Sequence, residues 1–298
     1  MVDMDMMKLI EQFPDEAHCR AALEKLRWPD GVTCLRCGNV NIRNHFTRDT
    51  YDCGSCSYQF SVITGTIFHD THLPLRKWFV AMYLMCESKK GISALQMKRT
   101  LNVAYKTAWY LCHRIRAAMT EANPSLLKGI VEVDETWVGG KKKNVGHGNR
   151  DNKVMVKGAL ERGGNVRMQV GKHASRKELH AFIRSTVHPD DTHTIMTDDW
   201  AAYRGIGDDN TQHVVVNHSA KEYVRGAAHT NGIENVWSLL DRSIMGAFHH
   251  VSEKHLDRYL DELEWRFNNR ENPYLFRDTL VKLLTAENLE YRVLTEQQ

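Results

Sequence analysis

The 298-residue sequence predicts a chain of the α/β class, in which a mixed sheet follows two smaller amino-terminal units. Short segments rich in Val, Ile and Met alternate as strands do, and segments of helical periodicity lie between and after them. The predicted strands are Ile130–Asp134, Lys153–Lys157, Asn165–Val170, Thr194–Asp198 and His213–Val216. Helices are predicted around Arg176–Thr186, after Asn231 and from Ser252 through Asn268. We expect units at 14–70, 74–122 and 128–275, followed by a helical tail at 276–298.

The first unit is defined by cysteine spacing. Cys34 and Cys37 form one Cys-x-x-Cys pair, and Cys53 and Cys56 form another after fifteen intervening residues. In a reducing compartment, two such pairs indicate a metal site and not disulfides. Four thiolates complete a tetrahedral Zn²⁺ site and leave no position for a catalytic water. Region 14–70 is therefore predicted to be a zinc ribbon whose Zn²⁺ is structural.

The net charge of the chain is only +3, but its distribution is uneven. Between Leu75 and Arg116 there are nine Lys or Arg residues and one acid, so this segment carries +8 and the remainder −5. A solvated helical face usually mixes charges of both signs. This asymmetry favours a polyanion such as nucleic acid as the partner.

The basic segment has the pattern of two helices joined by a tight turn. A short helix is predicted from Ile92, a turn at Leu101–Val103, and a longer helix after it. In the longer helix, Ala104, Ala108, Leu111, Ile115 and Met119 form the predicted buried stripe, and Lys106, Thr107, Tyr110 and Arg114 face the other way. With Lys98 and Arg99, these outward residues are candidate DNA contacts of a helix-turn-helix at 74–122. Many helical hairpins share this pattern, and the charge is what favours DNA.

Three acids of the third region are candidate metal ligands. Asp134 and Asp198 end two predicted strands, and Glu234 lies near the start of a predicted helix. Taken singly, each has a structural explanation, because strand-end aspartates bind turn amides and first-turn glutamates complement the helix dipole. Together, carboxylates that converge from two strands and a helix suit hard octahedral cations such as Mg²⁺ or Mn²⁺.

Longer motifs carry a family resemblance that covers about Phe13 to Arg270. The runs are Gly65–Asp70, Leu73–Trp78, Val131–Lys141, Thr197–Trp200, Asn217–Ser219, His229–Asn235, Phe248–Ser252 and Glu264–Arg270. With the cysteine pairs, they resemble bacterial insertion-sequence transposases of the DDE class with an amino-terminal zinc ribbon. The resemblance implies a ribonuclease-H-like catalytic domain, in which Asp134, Asp198 and Glu234 hold two divalent ions. Asp199 stands where a small residue is expected, and we assign Asp198 as the ligand.

The resemblance also suggests supporting residues and a reaction. His229 and Asn231 are expected to support the site or to contact DNA. Lys141, Lys142 and Lys143, in a glycine-bounded loop, either neutralise phosphates or belong to a solvated loop. The implied chemistry is attack by water or a 3′-hydroxyl on phosphorus, without a covalent protein–DNA intermediate.

The sequence therefore predicts a DNA transposase that binds the terminal inverted repeats of its element and cuts and rejoins DNA. Its expected partners are those repeats, target DNA and a second or further copy of the chain, since strand transfer joins two ends. A non-catalytic DNA-binding regulator and a hydrolytic nuclease of the same fold are the alternatives. No stretch is apolar enough for a membrane span, and the acidic start lacks signal-peptide features, so a cytoplasmic protein of the bacterial nucleoid is expected.

Overall fold

The computed structural model describes residues 2–45, 48–140, 153–207, 209–216 and 229–296. The chain forms two compact units, the first made of Met1–Met119 with Asn272–Gln298, and the second of Thr120–Glu271. The helical tail predicted at 276–298 is thus packed within the first unit. Among the described residues, none of the helices has both the length and the apolar character of a membrane span.

The first unit combines a small sheet with a group of helices. Strands β1 (Ile42–His45), β2 (Thr50–Cys53) and β3 (Gln59–Phe60) pair antiparallel in chain order. Its helices are α1 (Met6–Gln12), α2 (Glu16–Arg27), α3 (Leu75–Glu87), α4 (Ala94–Leu101), α5 (Tyr105–Met119), α9 (Leu275–Thr285) and α10 (Tyr291–Glu296). Asp5, Asp15 and Ser93 cap α1, α2 and α4, because each side chain accepts a hydrogen bond from an amide of the first turn.

Helices α4 and α5 are joined by the predicted tight turn. Asn102, at the end of α4, has a left-handed conformation with φ 48°, and its amide donates to the Lys98 carbonyl. Ala104, expected in the buried stripe, is exposed because it lies in this turn, before α5 begins. The other four residues of the stripe are buried.

The prediction that Arg114 faces outward from α5 is wrong, because this residue is only 4% exposed. Its guanidinium donates hydrogen bonds to the Ile67 and His69 carbonyls. Tyr110 is half-buried, and its hydroxyl donates to the Leu289 carbonyl. Residues of the helical tail cover this side of α5, which the local sequence pattern of the helix cannot reveal.

The second unit is built on a five-stranded sheet. Its strands are β4 (Leu127–Val138), β5 (Val154–Glu161), β6 (Val166–Gly171), β7 (Val187–Asp198) and β8 (Gln212–Val216), in the spatial order β6-β5-β4-β7-β8. Strands β4, β5 and β6 form an antiparallel meander, and β7 and β8 run parallel to β4 and β7, respectively. This is the ribonuclease-H-like arrangement that the sequence resemblance implied.

Helices cover the sheet, because each strand alternates its side chains between two apolar layers. The helices of this unit are α6 (Arg176–Thr186), α7 (Asn231–Ser243) and α8 (Glu253–Asn268); a 3₁₀ turn at Ala201–Tyr203 and a π-helical turn at Ile244–Phe248 complete it. Val131 and Val133 of β4 pack with residues of α6. Val156 and Leu160 of β5 pack with residues of α7 and α8. Residues 132 and 134 of β4 therefore lie on the α7 face.

Helix α8 protects the outer edge of the sheet. The amides of Val166, Met168 and Val170 on β6 donate to side chains of Asn268, Glu264 and Asp257, at 2.8, 2.9 and 3.2 Å. Asn268 also donates to the Val166 carbonyl at 3.1 Å, as a neighbouring strand would. Side chains of a helix thus satisfy the edge amides that would otherwise be open to another chain.

Candidate metal centres and nucleic-acid interface

The four cysteines of the first unit converge as predicted. The Sγ atoms of Cys34, Cys37, Cys53 and Cys56 all lie within 4.8 Å of one another. The Cys34–Cys56 and Cys37–Cys53 pairs are both 3.6 Å apart. Zn–S bonds of about 2.3 Å in a tetrahedron place sulfurs ~3.8 Å apart, so the thiols fit a single Zn²⁺.

Tight turns hold each cysteine pair in this geometry. The carbonyls of Cys34 and Cys53 accept hydrogen bonds from the amides of Gly38 and Ser57. Both Gly38 and Ser57 have positive φ, of 72° and 55°. The two halves of the ribbon therefore repeat one turn, and each turn aims two sulfurs at the same point.

The second unit brings Asp134 and Asp198 together through strand register. Glu132 of β4 pairs with Met196 of β7 in a parallel ladder, so residues two positions further on, Asp134 and Asp198, stand at the same level. Both therefore lie on one face of the sheet at adjacent strands. One carboxylate oxygen of each lies within 4.8 Å of the other, as ligands of a shared cation require.

Asp134 is held by a tryptophan of α7. The Trp237 indole donates to Oδ2 of Asp134 at 2.9 Å. Trp237 reaches this strand because Gly158, which pairs with Asp134 across β5, has no side chain to obstruct the indole. Burial raises the pKa of Asp134 to about 6, although the hydrogen bond from Trp237 lowers it; nearby Asp198 and Glu234 raise it further. The site thus favours a counter-charge such as a metal cation.

Glu135 joins this acidic group, and sequence analysis missed it. Its carboxylate has an oxygen within 4.8 Å of those of Asp134 and Asp198. Its Oε2 accepts a hydrogen bond of 2.6 Å from the hydroxyl of the buried Tyr203. Neighbouring residues of a strand point to opposite faces, so the local pattern offers no reason to group Glu135 with Asp134.

Glu234 lies on the first turn of α7 and is exposed. It is one turn before Trp237, and it contributes to the raised pKa of Asp134. Its Oε1 accepts a hydrogen bond of 3.1 Å from the Thr230 hydroxyl. Its carboxylate is outside the group formed by Asp134, Glu135 and Asp198. The third predicted acid is therefore near the pair but points to its own helix.

The remaining predicted site residues have varied positions. Asp198 accepts the Trp200 amide at 3.1 Å, whereas Asp199 is exposed and outside the acidic group. His229 contacts Arg162, with Nδ1 3.3 Å from Nη2, and Asn231 is exposed at the start of α7. Lys141, Lys142 and Lys143, and the motif Asn217–Ser219, fall outside the described residues.

In the first unit, the predicted DNA contacts that are exposed lie around the turn between α4 and α5. Lys98 and Arg99 at the end of α4 and Lys106 at the start of α5 are exposed. Tyr105, which sequence analysis did not select, is 52% exposed on the same turn of α5. Basic and aromatic side chains at the start of a helix suit contact with a phosphate backbone and a groove.

Comparisons with known proteins decide the family. Residues 126–268 match the model of the ISXO2-like transposase domain, and residues 14–59 match that of the transposase zinc-ribbon domain. The chain belongs to this family of zinc-ribbon insertion-sequence transposases. The acids of the second unit lie within the first match and the four cysteines within the second. The family resemblance predicted from the motifs is confirmed.

Two proteins with similar sequences are also linked to transposition by their descriptions. A protein in the transposable element ISH50 of Halobacterium salinarum is 27% identical over an aligned length of 281, and the match covers 87% of this chain and 93% of that protein. A transposase-like protein of Haemophilus influenzae is 34% identical over 93 residues, 31% of this chain and 72% of that protein.

Two solved structures of the Mos1 transposase also match. One is a pre-cleavage transpososome and the other a paired-end complex with the left transposon end. Both are 12% identical with a TM-score of 0.27; they cover 71% and 70% of this chain and 80% of those chains. Because a TM-score this low does not establish a shared fold, the fold assignment depends on the strand order described above.

Proposed function

We propose that this chain is a DDE-type DNA transposase that binds the terminal inverted repeats of its element and cuts and rejoins DNA with two Mg²⁺ or Mn²⁺ ions. The observation that carries the proposal is the strand register that puts Asp134 and Asp198 at one level, with their oxygens within 4.8 Å. Helix α7 carries Glu234 near enough to contribute to the raised pKa of Asp134. Carboxylate oxygens are ligands that the divalent ions of phosphoryl-transfer sites prefer.

Each acid has a defined part in this proposal. Asp134 and Asp198 bind the cations from adjacent strands, and Glu234 completes the set from α7. Ions held there would activate water or a 3′-hydroxyl for attack on phosphorus and stabilise the leaving oxygen. Trp237 holds Oδ2 of Asp134 and thereby orients the carboxylate toward the proposed ions. Cations must compete with a proton at Asp134, because burial raises its pKa to about 6.

The first unit supplies DNA binding. Lys98, Arg99 and Lys106 are exposed around one helix–helix turn and would contact phosphates of the terminal repeat, with Tyr105 beside them. Arg114 is excluded from this role by its burial. Zn²⁺ held by the four cysteines would stabilise the ribbon, since its three short strands provide little core of their own.

The test is DNA cleavage by the purified full chain. Duplexes that carry the element ends, incubated with Mg²⁺ or Mn²⁺, should be cut and joined to target DNA, and chelation should stop both steps. Asp134→Asn and Asp198→Asn should abolish cleavage and retain end binding in a mobility-shift assay. Asp199→Asn is the matched control, and it should cleave like the wild type.

The same assay separates the alternatives. End binding without cleavage under either ion would contradict the enzyme and favour a DNA-binding regulator. Cleavage without joining would indicate a hydrolytic nuclease. Glu234→Gln and Glu135→Gln, compared side by side, identify the third ligand: we expect the first to abolish cleavage and the second to retain it. Joining of two ends also requires at least two copies of the chain, which sedimentation of the DNA complex would detect.

A further inference from the structure

A buried glutamate lies beneath the start of α7, outside the predicted triad. Glu132 is 1% exposed and precedes Asp134 by two residues on β4, so both point to the α7 face. A buried carboxylate is costly unless it is paired and hydrogen-bonded. Its partners therefore reveal what it does.

The Glu132 carboxylate contacts both an arginine side chain and the amino-terminal end of α7. Its Oε1 accepts from Arg162, at 3.0 Å from Nε and 2.9 Å from Nη2. Its Oε2 accepts from the Ile233 amide in the first turn of α7, at 3.0 Å. That amide belongs to the group at a helix start that has no partner within the helix. Thr230, the residue at the cap position, makes no side-chain capping hydrogen bond; its hydroxyl donates to Glu234.

Arg162 extends this contact to His229, two residues before the helix. Its Nη2 donates to the His229 carbonyl at 2.9 Å. Gly232 allows the approach, because a β carbon there would lie 2.6 Å from Oε2 of Glu132. Glu132 therefore holds the chain after Gly232 directly, at the Ile233 amide, and the chain before Gly232 through Arg162, at the His229 carbonyl.

We infer that Glu132 is a positioning residue, which fixes the start of α7 and thereby sets Glu234 relative to Asp134. The residue after the bonded amide of Ile233 is Glu234 itself, so any shift of this turn moves the third acid. The inference rests on the proposed function, in which Glu234 is a metal ligand. Glu132 does not touch the ions; it acts through α7.

The test measures Mn²⁺ binding to the full chain by calorimetry, without DNA. Glu132→Gln keeps the size and one acceptor oxygen but loses the charge that holds Arg162. We expect Mn²⁺ affinity to fall about tenfold, the lower end for a residue that orients a metal ligand. In a Glu234→Gln background, the same substitution should change the affinity less than about twofold, because its effect passes through Glu234.

Glu161→Gln is the matched control, since Glu161 also accepts a backbone amide, that of Lys128, but lies away from α7. It should bind Mn²⁺ like the wild type. If Glu132→Gln is poorly folded, Arg162→Lys tests the same link, because lysine keeps the charge but not the two-pronged contact.

Three outcomes overturn the inference. The first is wild-type affinity in Glu132→Gln. The second is an equal loss with and without Glu234, which would show a general structural effect. The third is failure of the wild type to bind Mn²⁺ and cut DNA, and this result alone would also overturn the proposed function.

Discussion

Gly158→Ala should disturb the contact through which α7 reaches Asp134. A β carbon at Gly158 would lie 2.3 Å from Cη2 and 2.6 Å from Cζ2 of Trp237, and 3.0 Å from Cδ1 of Ile233. Real β carbons do not approach so closely, so the indole and its helix must move. Overpacking of this kind costs about 1–3 kcal/mol. For a unit of this size, the melting temperature should fall by roughly 2–4 °C for each kcal/mol.

The displacement should also reduce activity, because the same indole donates to Asp134 at 2.9 Å. Calorimetric melting measures the first effect, and cleavage of element-end DNA the second. Gly246→Ala is the matched control: its added β carbon meets nothing within 4 Å, and it lies in the same unit. It should not lower the melting temperature.

A smaller side chain at Trp237 should compensate for the added methyl group at Gly158. Trp237→Phe removes the outer ring that carries Cη2 and Cζ2, so it should relieve the clash. We expect the double variant Gly158→Ala with Trp237→Phe to lose less stability than the sum of the single variants. Strict additivity, or a Gly158→Ala protein that melts with the wild type, would refute the contact.

Three further substitutions test other parts of the structure. Asn268→Ala should lower the free energy of unfolding by about 1–3 kcal/mol in urea titration, because the Val166 amide at the sheet edge loses its acceptor; an unchanged midpoint would contradict this role. Cys53→Ser should abolish the expected single equivalent of bound zinc and weaken end binding, while the melting transition of residues 120–271 persists; retained zinc would contradict the four-thiolate site. Burial raises the pKa of Glu264 to about 7, from 4.5. The folded chain therefore holds a proton that the unfolded chain has released, and stability should fall as pH rises from about 4.5 to 7, by up to about 3 kcal/mol. Glu264→Gln should flatten that part of the stability curve, and an unchanged slope would refute the assignment.

Local pattern was sufficient for much of the fold. Helix α6 has the predicted bounds, Arg176–Thr186, because Ser175 caps one end and its apolar stripe is unbroken. Strand β7 begins at Val187, whereas apolar alternation predicted it from Thr194. The missed part is polar and contains register shifts against β4, so it shows no alternation.

The candidate site was predictable only where it follows strand ends. Asp134 and Asp198 were selected because each ends a strand, and the parallel register brings them together. Glu135, Glu132 and Tyr203 gave no such signal, since their roles depend on contacts with residues far away in the chain. The prediction that Arg114 faces outward was wrong for the same reason.

Glu132 and Gly232 are 100 positions apart, yet they form two halves of one contact. A side chain at Gly232 would meet the Glu132 carboxylate at 2.6 Å and Leu160 at 2.8 Å. Replacing Glu132 by Asp would withdraw the carboxylate by one methylene, which opens space near Gly232 but lengthens the bond to the Ile233 amide. A shorter acid therefore cannot both fill the space beside Gly232 and keep the hydrogen bond to the Ile233 amide. The short motif Gly-Ile-Glu on α7 is thus constrained from the strand, because its glycine admits the carboxylate that places its glutamate.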